Sequence, residues 1–331
     1  MYICVLAEIA HSSIVIVRKK TMKINKQTNP LLHRNSINRV IDYIENNISN
    51  NIELETLAAV ANLSKYHFLR VFKSLLGETP MQFILRLRLE KIAAVLISKP
   101  TDSISGICYE FGFANSTMFS KNFRKQFGIS ATEWRKRKNS NQSKVIRNQR
   151  ITSRESSMYF CQQSRSIKWR TNMKQNKSIE IKDIQSFPVA YVRHVGTYKL
   201  SYEQYETLWA KLFSWAAPKD YLSQSNMKSL IVYHDDPSLT AQEKQRMSFC
   251  ISVPENAKTD GEIGKMIIEG GKYVVAQFEL TSQEFPLAWE FIMNWFPTSG
   301  LEPENKPSFE LYPEQPQNGI FKVEICIPVK N

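Results

Sequence analysis

Apolar residues recur at intervals of three and four from Ser36 to Asn47, so that Ile37, Val40, Ile41, Ile44 and, just beyond, Ile48 share one stripe of an amphipathic helix. Helix-length segments separated by short turns follow as far as Lys138, with no run of the strict alternation that marks a half-buried strand. The first informative stretch is Leu54 to Gly77. Leu57, Ala58 and Ala61 form a compact face, Asn62-Leu63 supplies a tight turn, and Ser64 stands where a second helix needs an N-cap. On that second helix Phe68 and Phe72 point to the core. Tyr66, Leu69, Arg70 and Lys73 are left on the outer side, where base edges and phosphates would be met.

The same pattern returns from Ile104 to Gly128. Phe119, Lys121, Phe123, Arg124 and Gly128 stand 51 residues after Phe68, Arg70, Phe72, Lys73 and Gly77. Ile107 and Gly112-Phe113 stand 50 residues after Leu57 and Asn62-Leu63, so the second turn carries one extra residue. Between the copies, Pro80 to Leu96 reads as a long helix with Leu85, Leu89, Ile92 and Leu96 on one stripe. Two helix-turn-helix units held apart in this way predict two equivalent contacts with double-stranded DNA, in major-groove faces about 34 Å apart.

Charge sharpens this picture. Residues 1–176 hold 29 Lys and Arg against 11 Asp and Glu, whereas residues 177–331 hold 15 against 20, within a net charge of +13. A basic half joined to a mildly acidic one fits a polyanion-binding half beside a half with another task, a lysine-rich solubility surface being the competing account. The five cysteines, Cys4, Cys108, Cys161, Cys250 and Cys326, are scattered without a C-x-x-C pair and are expected as reduced thiols of a cytoplasmic protein. Tyr2 to Val17 is apolar, but Glu8 and His11 interrupt it and Arg18-Lys19-Lys20 follows it, so neither a signal peptide nor a membrane span is read there. Residues 1–35 are expected to be a poorly ordered tail, with Met22 a candidate initiator beside Met1. Residues 139–177, rich in Ser, Asn, Gln, Lys and Arg, read as a linker between the helical domain, 36–138, and a C-terminal domain, 178–331.

In the C-terminal domain strand-length runs appear at Ile179–Ile184, Val189–Val195, Leu230–His234, Met247–Val253, Tyr273–Leu280, Phe309–Tyr312 and Phe321–Val329, with helices at Tyr202–Ala217 and Phe285–Phe296. After the opening strand this is a β-α-β-β unit written twice. Trp209 and Trp215 recur 80 residues on as Trp289 and Trp295, and Tyr233 and Pro237 recur 79 residues on as Tyr312 and Pro316. A duplication of this kind encloses a cleft between its halves, a frequent place for a small-molecule ligand. The predicted fold class is multidomain: an all-α tandem helix-turn-helix domain followed by an α+β domain built from a duplicated β-α-β-β unit.

The N-terminal residues L-A-x-x-A-N-L-S-x-Y-H-F-x-R-x-F-K, I-x-x-I-C-Y-E-F-G-F, F-S-K-N-F-R-K-Q-F-G and Trp134-Arg135 resemble the AraC/XylS-type DNA-binding domain over Ser36 to Lys138. The resemblance implies that Tyr66, Leu69 and Arg70 in the first unit, and Ser116, Thr117, Ser120 and Lys121 in the second, meet base edges. It implies phosphate contacts for Lys65, Lys73, Arg124 and Lys125. Trp134-Arg135 and the basic residues after it read as a phosphate-hugging helix end, with a base-reading extension as the alternative. Gly106, Cys108 and Ala131 depart from the family pattern, and Gly106 is expected to weaken its helix by up to ~1 kcal/mol.

Arg193 to Tyr198 (R-H-V-G-T-Y), Phe309 to Pro316 and Val323 to Val329 resemble the GyrI-like small-molecule-binding domain, although Thr197 stands where proline is common. In that family a strand glutamate in an aromatic-lined cavity pairs with cationic, lipophilic ligands, and Glu324 is the residue that fits by resemblance. Strand alternation independently puts Glu324 with Cys326, and Glu310 with Tyr312, and two carboxylates beside an aromatic ring would hold a cation. The alternative places both glutamates on the solvent face. Trp209, Trp289 and Tyr233 are further candidates for the ligand cleft, with core packing the readier account of Trp209, Trp215, Trp289 and Trp295. No nucleotide, hydrolase or metalloprotease motif occurs, and His234-Asp235-Asp236 reads as an Asp-rich turn rather than a metal site, so no cofactor, metal or catalytic residue is assigned. The expectation is a non-enzymatic transcription regulator, an activator by family tendency, with DNA, a small effector and RNA polymerase as partners and no membrane. The rival is a C-terminal domain acting as a small-molecule hydrolase or sequestering module.

Overall fold

The computed structural model describes residues 33–136, 158–161, 166–169, 176–224, 226–304 and 306–330. The choice of initiator, residues 1–32 of the expected tail, Arg137, Lys138 and most of the expected linker lie outside the described residues.

The N-terminal part is helical: α1 (Arg34–Asn46), α2 (Leu54–Ala61), α3 (Lys65–Leu76), α4 (Pro80–Ser98), α5 (Ile104–Glu110) and α6 (Ser116–Phe127), with a further helical stretch over 131–136. The two predicted turns share one mechanism. Asn62 adopts the left-handed conformation at φ 56° after α2, and Gly112 does so at φ 74° after α5. Asparagine and glycine tolerate that region best. The extra residue of the second turn lies before its cap: α3 starts one residue after Ser64, whereas Asn115 opens α6 and its Oδ1 accepts the Met118 N–H at 2.7 Å. Ser64 holds the expected cap position, but its side chain makes no such bond.

Two cores share α4. Ile37, Val40, Ile41 and Ile44 of α1 pack with Leu57, Phe68 and Phe72 against Phe83 and Leu87 in the first half of α4. Leu89, Ile92 and Leu96 in its second half pack with Ile107, Phe119 and Phe123. Arg88, at the crossover, donates to the carbonyls of Ile48 at 2.9 Å and Asn50 at 2.5 Å in the first unit, and of Gly112 at 3.0 Å in the second. One guanidinium therefore ties both units to the helix between them.

The C-terminal part is an antiparallel sheet of eight strands: β3 (Asn176–Ile184), β4 (Phe187–Val195), β5 (Ser229–Tyr233), β6 (Arg246–Ser252), β7 (Gly264–Ile268), β8 (Gly271–Leu280), β9 (Ser308–Tyr312) and β10 (Phe321–Pro328). Helices α7 (Tyr202–Ala216) and α8 (Phe285–Ser299) cover one face. The spatial order β3-β8-β10-β9-β5-β6-β4-β7 reads symmetrically about its centre, so each half lends its first strand to the other: β3 pairs with β8 and β7 with β4. Strand β7 extends the expected β-α-β-β duplication to β-β-α-β-β. It is a five-residue edge strand with a single hydrogen-bonded neighbour, too short to announce itself as a pattern. Within the expected linker, β1 (Met158–Cys161) pairs antiparallel with β2 (Ser166–Trp169).

Candidate functional site

On α3, Lys65, Tyr66, Arg70 and Lys73 are exposed and Leu69 is half-buried, while Phe68 and Phe72 are wholly inside. On α6, Ser116, Thr117, Ser120, Lys121, Arg124 and Lys125 are all exposed, with Phe119 and Phe123 buried beneath them. Tyr66 leaves 86% of its surface in solvent, a position in which an aromatic ring gains nothing from the fold itself. Lys65 forms an ion pair with Glu55 of α2, which would have to loosen before the ammonium met a phosphate. Trp134 packs against Phe127, with ring centroids 4.8 Å apart, and its indole N–H donates to the Ala93 carbonyl at 3.1 Å. That tryptophan is core; in the expected basic helix end Arg135 is half-buried and Lys136 exposed.

The second candidate is the groove between α7 and α8, lined among others by Tyr205, Trp209, Tyr233, Trp289, Glu310 and Tyr312. Glu310 lies at the centre of the sheet and is 1% exposed. Its Oε1 accepts the indole N–H of Trp289 at 2.5 Å, its Oε2 accepts the Tyr312 hydroxyl at 2.5 Å, and the Tyr233 hydroxyl also bonds to it. Burial pushes the carboxyl pKa above its ordinary value, against the lowering effect of those three donors. Burial and the neighbouring Glu310 charge raise the Tyr233 and Tyr312 phenols well above theirs, which keeps both as donors. The aromatic walls come from both halves: Tyr233 stacks edge-on against Trp289 at 5.4 Å, and Trp209 stacks edge-on against Phe249 at 5.2 Å. The duplicated tryptophans divide by position, Trp209 and Trp289 lining the groove and Trp215 and Trp295 packing in the cores under the helices.

The structure does not bring Glu324 to this groove. In the β9–β10 register Glu324 lies opposite Leu311 and Ile325 opposite Glu310, so the two carboxylates project from opposite faces of the sheet. Glu324 accepts from Gln277 at 2.7 Å and lies 3.6 Å from the Lys182 ammonium. The expectation of a paired-glutamate site is therefore corrected to Glu310 alone. In His234-Asp235-Asp236, the last residue makes the turn, its carboxylate accepting the Ser238 N–H at 2.7 Å, but Asp235 does something else. Buried at the sheet's end, it holds the guanidinium of Arg246 through contacts of 2.6 and 3.0 Å.

That pair belongs to a cluster the sequence did not announce, on the sheet face opposite α7 and α8. Arg193 and Arg246, 4% and 0% exposed, reach helix α1 of the helical domain. Arg193 and the Tyr191 hydroxyl bind the Asp42 carboxylate at 2.7 and 2.6 Å, and Arg246 pairs with Glu45 at 2.8 Å. Burial alone would raise the Glu45 pKa, yet Arg246, His234 and Arg193 bring it down to about 2. The signal was present only as two acidic residues at a helical spacing in an otherwise basic half.

The profile of the GyrI-like small molecule binding domain matches residues 177–330, and that of a helix-turn-helix domain matches residues 57–137. The chain is 36% identical over 95 residues to the MmsAB operon regulatory protein of Pseudomonas aeruginosa, covering 29% of this chain and 31% of that one. It is 34% identical over 99 residues to the lactose operon transcription activator of Staphylococcus xylosus, covering 30% of this chain and 35% of the relative. It thus spans about a third of the length of these relatives. The DNA-binding domain of the transcription factor AdpA, solved with a target DNA, superposes with a TM-score of 0.31 at 26% identity, covering 33% of this chain and 97% of that structure. No helix among the described residues is long and apolar enough to cross a membrane.

Proposed function

Because this chain joins an AraC-type helix-turn-helix domain to a GyrI-like small-molecule-binding domain, we propose that it is a cytoplasmic transcription regulator that reads DNA through α3 and α6 and binds a lipophilic cation at Glu310. Exposed polar and basic side chains on two helices of one duplicated motif support the first half of this reading. Arg70, Tyr66 and Leu69 on α3, and Ser116, Thr117, Ser120 and Lys121 on α6, would meet base edges, and Lys65, Lys73, Arg124 and Lys125 would hold phosphates and set the register. Transcription would respond through contact with RNA polymerase.

The observation that carries the second half is the buried Glu310 carboxylate, held by three neutral donors, the Trp289 indole and the Tyr312 and Tyr233 hydroxyls. An unpaired anion in an apolar site is costly, and a cation that is itself poorly hydrated relieves that cost while its apolar surface lies against the rings. The test is a titration of the full chain with tetraphenylphosphonium, followed by quenching of tryptophan fluorescence. Wild type should saturate, and Glu310→Gln, which keeps an acceptor for Trp289 and Tyr312 but no charge, should bind at least about tenfold more weakly. Equal affinities would remove the carboxylate from the site. Slow conversion of a bound compound to product would favour the rival hydrolytic reading.

A further inference from the structure

The aromatic groove and the helical domain are joined by one continuous path of side chains through the segment between β5 and β6. The Tyr198 ring stacks edge-on against Tyr233, a wall of the groove, with centroids 5.1 Å apart. The Tyr198 hydroxyl does not enter the groove. It shares its proton between the carbonyls of Asp235 at 2.9 Å and Arg246 at 3.1 Å, and accepts the Asp235 backbone N–H at 3.1 Å. It thereby fixes both residues of the buried Asp235–Arg246 pair at their backbone. Arg246 then makes two contacts with the first helix-turn-helix unit: its guanidinium pairs with Glu45 on α1, and it lies 5.2 Å over the ring of Phe83. Phe83 packs edge-on against Phe72 of α3 at 5.7 Å, so a single arginine of the sheet reaches the core beneath a DNA-reading helix.

The same segment grips the helical domain at two more points. Lys244 pairs with Glu78, just beyond α3, at 3.4 Å, and Leu239 packs against the second core.

We infer that residues 234–246 are the coupling element of this protein, and that Tyr198 is the positioning residue through which occupancy of the groove shifts Arg246 and, with it, α1 and α3. The inference rests on the ligand reading given above for the groove, but its mechanical half does not need a ligand. A buried guanidinium held by Asp235 on one side and paired with Glu45 on the other has few alternative arrangements, so a displacement at Tyr198 is passed to Glu45 and Phe83 rather than absorbed locally. Tyr198→Phe is the sharpest probe, because it keeps the ring against Tyr233 and removes only the hydroxyl that holds residues 235 and 246.

Two measurements on the full chain test this. In the first, without ligand, backbone hydrogen exchange is followed in α1 for wild type, Tyr198→Phe and Glu45→Gln. Tyr198 makes no hydrogen bond to α1, yet both variants should speed exchange there by about tenfold. Unchanged exchange in Tyr198→Phe overturns the path. In the second, affinity for a DNA fragment selected by the wild-type protein is measured with and without tetraphenylphosphonium. Wild type should shift by about fivefold or more, whereas Tyr198→Phe should bind the cation within about threefold of wild type and lose the shift. A variant that binds the cation and keeps the full shift overturns the inference. If wild type does not bind the cation, the ligand reading fails instead, and the exchange experiment still decides the coupling.

Discussion

Ile231 and Glu310 face each other across the β5–β9 pair and are also equivalent positions of the two halves, 79 residues apart, as are Tyr233 and Tyr312. The pseudo-twofold axis of the sheet therefore passes between them. Duplication supplied both aromatic walls, but only one half kept a carboxylate on the axis. A symmetric pair of glutamates at this spacing would repel each other in an apolar site, whereas one glutamate and one isoleucine leave a single charge to be satisfied from outside.

The pH dependence of cation binding follows from the position of that charge. Burial raises the Glu310 carboxyl pKa, and the ionised form is the one that attracts a cation. Affinity for tetraphenylphosphonium should therefore be full above the raised pKa and fall as the pH drops through it, starting at a higher pH than an exposed glutamate would show. Fluorescence titrations from pH 8 to pH 5 check this, with Glu310→Gln expected to give a flat profile. A wild-type profile as flat as the variant's would mean that the carboxylate is not the partner.

Base reading and phosphate holding are separable on α3 and α6. Arg70→Ala and Lys121→Ala should each weaken binding to a selected DNA site by about 1–3 kcal/mol if they meet bases, with little loss on random DNA. Lys73→Ala and Arg124→Ala should weaken both substrates alike and reduce the salt dependence of binding. Equal losses on both substrates for Arg70→Ala would move it to the phosphate group. Electrophoretic mobility shifts at two salt concentrations provide the measurement.

The helical domain was legible because its determinants are local. The 3.6-residue stripe of α1, the inward Phe68 and Phe72, and the left-handed Asn62 and Gly112 each depend on neighbours within one or two turns. The groove was legible only in part. Alternation along β9 and β10 correctly separated each strand's two faces, but which face of one strand matches which of the other depends on register, set here by the Glu324–Leu311 pairing. No local pattern encodes that pairing, so Glu324 and Glu310 could not be told apart by spacing. Asp42 and Arg193 are 151 residues apart, and their contact follows from how two complete domains meet. Strand β7 was missed because five residues at a sheet edge carry too little pattern.

Arg88 should matter more for DNA sites with two half-sites than for one. Its guanidinium serves carbonyls of both units, and Arg88→Met would leave them without that donor, costing about 1–3 kcal/mol of stability. The helices would still form around their own cores, so the spacing of α3 and α6 should loosen while each helix keeps its surface. Affinity for a two-half-site fragment should then fall more than affinity for a single half-site, and equal losses would show that α4 alone sets the separation. Gly112→Ala probes the same joint from the other side: besides the φ of 74°, a Cβ there would come within 2.8 Å of the Ser49 carbonyl and 2.9 Å of the Arg88 guanidinium.

The buried His234 makes the stability of the fold sensitive to acid. Burial, with Arg193 and Arg246 adding to it and Glu45 and Asp235 opposing it, lowers the imidazole pKa to about 3, and its Nε2 lies 2.9 Å from the Ser248 hydroxyl. An unfolded histidine titrates near 6.5, so in acid the unfolded chain takes up a proton that the folded one refuses. The neutral ring thus contributes stability that is complete above pH 6.5 and drains away as the pH falls toward 3, by about 2 kcal/mol at pH 5. Glu45, with its pKa lowered to about 2 from 4.5, adds a further loss of the same sign below pH 4.5. Asp42 and Glu90, whose carboxyls are raised, act in the opposite direction, so the comparison must be made between wild type and His234→Gln. Urea unfolding of both at pH 7.5, 6 and 5 should show wild type losing stability over this range more steeply than the variant. Parallel losses would mean that His234 is protonated as easily in the folded chain as in the unfolded one.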